Sequence, residues 1–413
     1  MKRGLVLCGG GSLGSYEMGV WKYFHEKDIH FDLVTGSSIG SLIGAMYVSG
    51  DYEACLKLWE TITVDDVITN GINIKKKMFS EDKAGSRLVP LTRSYIANGG
   101  VDNAPFKKLL ASLVDPKKVK DSKIPLGIVV TSYPAMKEVD VISHELKEEE
   151  IMNYLLSSSA CWPIFPMMKI GKKRFVDGGF TNNMPIDLAI KMGATEIVAV
   201  QLRAYPPVPQ HIELTELPFV TTLSANIDLG FMMNFDHETL QNNMALGYLD
   251  AKKKFGDAIG NYYTFTSLGH YKEMANSFAY SCVKDNPSLW KIIRKDLEKE
   301  GYHPKTSADY FLATLEIIGK WINITPYKEY TVQEFIKTTK ERCVELLQGQ
   351  DRSGEFRETH GEKTLTKNEQ IPFLAYLYRS FNAGHKASHA NYYFKRSPKT
   401  ILIKTLMQKL YEK

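Results

Sequence analysis

Leu5-Val6-Leu7-Cys8-Gly9-Gly10-Gly11-Ser12-Leu13-Gly14 and, further along, Phe31-Asp32-Leu33-Val34-Thr35-Gly36-Ser37-Ser38-Ile39-Gly40 are the stretches whose reading decides the fold class. Each is a short apolar run that ends in a glycine-rich turn. After the first, Ser15 to Lys27 carries Met18, Trp21, Tyr23 and Phe24 at helical spacing; after the second, Ser41 to Val48 reads as another helix. Strand, helix, strand, helix in that order predicts an α/β chain with a mostly parallel sheet covered on both faces. Further strands are expected at Leu126–Thr131, Arg174–Val176 and Ile197–Leu202.

The strand signals fade beyond about residue 210. Pro287–Lys299, Ala308–Ile322 and Thr331–Leu347 read as helices, the last opening with the capping-box pattern Thr331-x-x-Glu334. Asp351–Lys367, polar and carrying Gly354 and Gly361, reads as a linker or surface loop.

Over 413 residues the chain is 44% hydrophobic and 24% charged, with a net charge of +5, which fits a globular protein and argues against a dedicated nucleic-acid binder. Five scattered cysteines without a CxxC pair read as reduced thiols, not as a disulfide frame or zinc site. The apolar run after Met1-Lys2-Arg3 is too short for a signal peptide, and no stretch has the length of a membrane span. A cytoplasmic protein is expected, with peripheral membrane contact and homo-oligomerisation left open.

Gly36-Ser37-Ser38-Ile39-Gly40 fits GxSxG between a strand and a helix, the setting of a nucleophile elbow. A serine there is pushed out of the sheet, and the helix behind it points amides toward developing negative charge. The loop from Gly9 to Gly14 admits two functional readings. It satisfies the dinucleotide fingerprint GxGxxG. It also offers exposed amides at Gly9, Gly10, Gly11 and Ser12 as an oxyanion hole, with Gly14 supporting the turn. A ribose-binding acid is expected at the end of the second strand. Ser38 stands there instead, which favours the oxyanion reading.

The serine needs a proton acceptor. Asp177, at the end of Phe175-Val176-Asp177 and followed by Gly178 and Gly179, is the candidate; His211, His237 and His270 keep a histidine base open by chain order. Lys75-Lys76-Lys77-Met78-Phe79 reads as a solvated helix face or part of a lid.

Taken in order, the glycine loop, the serine turn and Asp177-Gly178-Gly179 resemble the patatin-like phospholipases of bacterial type. Ser158-Ser159-Ala160-Cys161-Trp162-Pro163-Ile164-Phe165-Pro166 is similar to the segment that precedes the family's aspartate, and Asn182-Asn183-Met184-Pro185 to its Asn-x-Pro follow-on. The resemblance implies a patatin-like three-layer sandwich over residues 1–260, with its core in 1–205, and a helical extension over 261–413. It implies a carboxylic ester hydrolase acting on phospholipids or related lipid esters through a Ser38–Asp177 dyad without histidine, metal or cofactor. Many members carry Lys or Arg in the glycine loop where this chain has Leu13. That removes a positive charge near the oxyanion and bears on the strength of activity more than its type.

From Gln370 onward there are eight basic residues and one acid, Glu412, a local charge of +7. Leu402, Leu406 and Leu410 form a stripe at i, i+4 spacing. This basic amphipathic end suits either an anionic membrane surface or a docked helix with its lysines outward. His385 and His389 have metal-like spacing but no third ligand in the sequence.

Overall fold

The computed structural model describes residues 2–69, 101–203, 208–348, 365–385, 387 and 397–411. Lys75–Phe79, residues 351–364, His389 and the basic residues Lys386, Lys395, Arg396 and Lys413 lie outside that set. The chain forms two compact units, Met1–Lys252 and Lys253–Lys413.

The first unit is built on eight strands: β1 (Arg3–Leu7), β2 (Leu33–Ser37), β3 (Leu126–Tyr133), β4 (Lys137–Ile142), β5 (Met168–Ile170), β6 (Lys173–Asp177), β7 (Glu196–Gln201) and β8 (Val220–Ser224). Their order is β5-β6-β3-β2-β1-β7-β8, with β4 also on β3. From β3 to β8 the pairing is parallel, while β4, β5 and β6 add an antiparallel edge.

Alternation along β2 makes the layers. Val34 and Leu126 face Gly44 of the helix α2 (Ile39–Val48), which follows β2, with α1 (Gly14–Glu26) beside it. Thr35 and Gly127 face Leu188, on a short helix at Ile186–Lys191. All five residues of β2 are buried, as a strand covered on both faces requires.

A helix at His237–Lys254 lies against α1 in backbone contact. Its Gly247 meets the Tyr16 carbonyl, and Gly19 of α1 meets the Met244 carbonyl, with no room for a Cβ on either side. Because α1 starts where the glycine loop stops, this contact also fixes the far end of that loop.

The second unit is helical, with Lys272–Val283, Trp290–Lys299, Ser307–Trp321, Val332–Gln348, Lys367–Asn382 and Lys399–Tyr411 among the described residues. The Thr331 capping box is formed in full: Thr331 N–H donates to Glu334 at 2.9 Å and Glu334 N–H to the Thr331 hydroxyl at 3.1 Å. Leu402 and Leu406 are fully buried in this unit's own core, with Leu410 packed against it, so the stripe faces inward. No helix among the described residues is long and apolar enough to cross a membrane.

Forcing a methyl group between α1 and its partner is expected to cost about 1–3 kcal/mol. Gly247→Ala is therefore expected to lower the urea midpoint of the first unit. A variant melting with the wild type would show that the two backbones are not in contact.

Candidate active site

The site arises from how β3 is shared. Along one edge β3 pairs with β4 from Gly127 to Ser132. On the other edge β2 runs up to the pair Ser37–Val129, and β6 arrives from the opposite direction to the pair Asp177–Val130. Two strands thus abut end to end on neighbouring positions of a third, and Ser38, just past the end of β2, meets Asp177, the last residue of β6. Ser38 Oγ donates to Asp177 Oδ2 at 2.7 Å.

The turn at Ser38 is strained. Its φ of 50° is rare for a residue with a side chain and costs on the order of 1–3 kcal/mol. The neighbouring glycines are required by proximity. A Cβ on Gly36 would stand 2.5 Å from the Gly40 backbone, and one on Gly40 2.5 Å from the Leu7 carbonyl oxygen. Ser158, fully buried at the end of the helix Glu148–Ser158, holds the turn. Its hydroxyl accepts the Ser38 N–H at 2.9 Å and donates to the Val129 carbonyl at 2.7 Å, filling the gap where the β2 ladder stops. Two residues on, the Ala160 carbonyl accepts the Asp177 N–H at 2.9 Å. One segment therefore fixes the backbone of both partners. Sequence reading reached this segment only through the family resemblance; its serine-rich composition carries no mark of the role.

Asp177 is 5% exposed. Burial pushes its carboxyl up to about 6, opposed by hydrogen bonds from Ser38 and from the Gly179 N–H, the latter at 2.8 Å. A carboxylate so placed is ionised at neutral pH yet basic enough to take a hydroxyl proton during reaction. Ser38 reaches Asp177 without an intervening histidine, and His211 lies instead against Glu213 at 3.2 Å.

The four expected oxyanion amides are not equivalent. Gly9 N–H donates to the Asn183 carbonyl at 3.0 Å, while Asn183 Nδ2 donates back to the Gly9 carbonyl at 2.9 Å. Ser12 N–H donates to the Met232 carbonyl at 2.8 Å, and its hydroxyl to the Phe231 carbonyl at 3.2 Å. Gly10 and Gly11 are left with amides that no described residue engages. A loop residue's amide is spent or free according to contacts 170 or more residues away, which local sequence cannot reveal.

Ser38 opens into a pocket lined by Leu42, Met46, Trp59, Phe106, Phe165 and Met233, among other apolar side chains. Cys161 lines it too, but burial first, and then the charge of Asp177, push its thiol up to about 12. It is no rival thiolate at neutral pH. Elsewhere in this unit Glu138, Asp140 and Asp187 come together, the one acidic set of its kind among the described residues. Lys191 Nζ bridges Asp140 and Asp187 at 3.0 and 2.9 Å, and Asn182 donates to Glu138 and Asp187, so one cation and one amide already bind the set from within.

Residues 5–190 match the family model of patatin-like phospholipase. Patatin-like phospholipase domain-containing protein 7 of Rattus norvegicus is 22% identical over 203 residues, 48% of this chain and 13% of that protein. Lysophospholipase NTE1 of Mycosarcoma maydis is 25% identical over 203 residues, 49% of this chain and 10% of that protein. The chain thus matches only a small part of the length of these relatives. Among solved structures, VipD from Legionella pneumophila aligns with a TM-score of 0.42 at 14% identity, covering 100% of this chain and 92% of that one.

The buried Asp177 carboxyl has a consequence for stability. Its folded value of about 6 lies above the roughly 4 of an unfolded aspartate. Between those values the folded chain keeps a proton that the unfolded chain has released. The stabilisation is therefore full below about pH 4 and lost as pH rises through about 6. Asp177→Asn has no such loss, so it is expected to gain about 2–3 kcal/mol on the wild type between pH 4 and pH 8. Urea midpoints of both proteins across that range check it; a constant difference would mean that the carboxyl is not desolvated as described.

Proposed function

We propose that this chain, whose residues 5–190 match the patatin-like phospholipase family model, hydrolyses carboxylic esters of lipids, with Ser38 as nucleophile and Asp177 as base. The observation that carries the proposal is the 2.7 Å contact from Ser38 Oγ to Asp177 Oδ2 at an apolar pocket. The acyl chain lies in that pocket. As Ser38 Oγ attacks the ester carbonyl, its proton passes to Asp177. The oxyanion forms against the free amides of Gly10 and Gly11, where each oriented donor is worth about 3 kcal/mol. Asp177 then returns the proton to the departing alcohol. A water takes the alcohol's place, gives its proton to Asp177 and attacks the acyl-serine. Collapse of that intermediate releases the fatty acid, and the proton goes back to Ser38 Oγ. No step calls for a metal or redox group.

The name of one relative, a lysophospholipase, supports single-chain lipid esters as the first substrates to try. Contact with an anionic membrane would rest on exposed side chains such as Arg379 and Lys409, since the leucine stripe is used in packing.

Wild type is expected to react with a fluorophosphonate and to hydrolyse a nitrophenyl ester. Ser38→Ala should lose both, and Asp177→Asn should lose at least about 100-fold in ester hydrolysis. Labelling that survives Ser38→Ala would place the nucleophile elsewhere. For the wild type, kcat/KM should fall as pH drops through about 6, where Asp177 gains its proton, and level off above about 7. A profile flat from pH 5 to 8 would remove Asp177 as the base.

A further inference from the structure

One fully buried acid takes no part in the chemistry above. Glu17, in the first turn of α1, has no exposed surface. Its Oε1 accepts the Cys8 N–H at 2.7 Å, and its Oε2 has no partner. The walls around it, Leu5, Leu7, Val20, Trp21, Phe24, Ile43 and Tyr47, are apolar apart from one tyrosine. An orphaned buried oxygen costs on the order of 1–3 kcal/mol, so the position is expensive to fill with a carboxyl.

What the carboxyl gains is the Cys8 amide. Pairing of β1 with β2 and with β7 stops at Leu7 on both sides. Cys8 is the first residue beyond the sheet and the last before Gly9. Glu17 stands just past the other end of the same loop. Its side chain therefore ties the strand end to the helix start across a run that contains four glycines, the residue type with most backbone freedom to lose.

Building on the hydrolase reading, we infer that Glu17 is a positioning residue for the oxyanion hole, stapling the ends of the glycine loop so that the Gly10 and Gly11 amides stay aimed at one point. Burial holds its carboxyl well above the usual range, which favours the neutral form. A neutral acid puts no negative charge beneath the site where an oxyanion forms. Glutamine has the same shape, the same neutral charge and the acceptor that Cys8 needs, whereas aspartate is one methylene too short. Glu17 does not itself line the acyl pocket; Ile43 stands between the two, with a face on each.

The test compares Glu17→Gln, Glu17→Asp and Glu17→Leu with wild type, using a nitrophenyl ester and a long-chain alkyl trifluoromethyl ketone, which adds to the serine to give an oxyanion. For Glu17→Asp and Glu17→Leu, kcat should fall about 10-fold or more with KM within about 2-fold, and the ketone should weaken by the same factor as kcat. Glu17→Gln should stay within about 3-fold of wild type in all three readouts. If Glu17→Leu does not fold, the aspartate and glutamine variants make the same comparison. The staple is overturned if the folded aspartate variant keeps wild-type kcat, if glutamine loses as much as aspartate, or if the loss appears in KM. Absence of labelling and hydrolysis in the wild type itself would instead remove the hydrolase reading on which the staple rests.

Discussion

The site depends on a break in one strand edge. β3 offers a single line of hydrogen-bonding groups, and β2 and β6 divide it between Val129 and Val130. Because the two run in opposite directions, both end at the break, where Ser38, just past β2, meets Asp177 at the end of β6. No loop has to carry Ser38 to Asp177. A break in a buried ladder leaves amides and carbonyls without partners, which is costly. Ser158 supplies the missing partners with one hydroxyl, bonded to Ser38 on one side and Val129 on the other.

Several groups around this break are held in states the isolated chain would avoid. Ser38 has a left-handed φ, Asp177 is a desolvated carboxyl and Glu17 carries an unpaired oxygen. Each costs on the order of one to a few kcal/mol, a large share of the net stability of an ordinary domain. The surroundings over-determine them. β1, β2 and β7 are buried almost throughout, and the Gly19–Gly247 contact locks α1 by its backbone. Strain at the site is tolerated because the sheet beneath it has little freedom to relax.

Much of this was readable in the sequence because it is local. Apolar runs ending in glycine turns marked β1 and β2, and GxSxG placed Ser38 at the elbow that the structure shows. Of the antiparallel edge only β6 was readable, as the apolar run at Arg174–Val176. β5 is three residues long, β4 is half-buried with Glu138 and Asp140 inside it, and their pairing is made with distant strands. β8 was missed beyond the point where strand signals fade, because Val220-Thr221-Thr222-Leu223-Ser224 buries only Leu223 fully. The loop at Gly9–Gly14 was legible as glycines, but which of its amides are engaged is set by Asn183 and Met232, far along the chain. The leucine stripe near the C-terminus shows a different limit: an amphipathic pattern reports an apolar face, not what covers it.

The composition of the glycine loop bears on why so many contacts converge on it. Leu13, buried at 1% exposure, brings no charge to the loop. A cation attracts an oxyanion from many orientations. Amide dipoles do so only when aimed, and their advantage in a dry site comes from needing no reorganisation during reaction. A loop that relies on Gly10 and Gly11 alone must therefore be held still. Glu17 fixes its start, Asn183 grips Gly9 from both sides, and the Met232 and Phe231 carbonyls hold Ser12. In this chain the aim of those amides is carried by residues outside the motif itself.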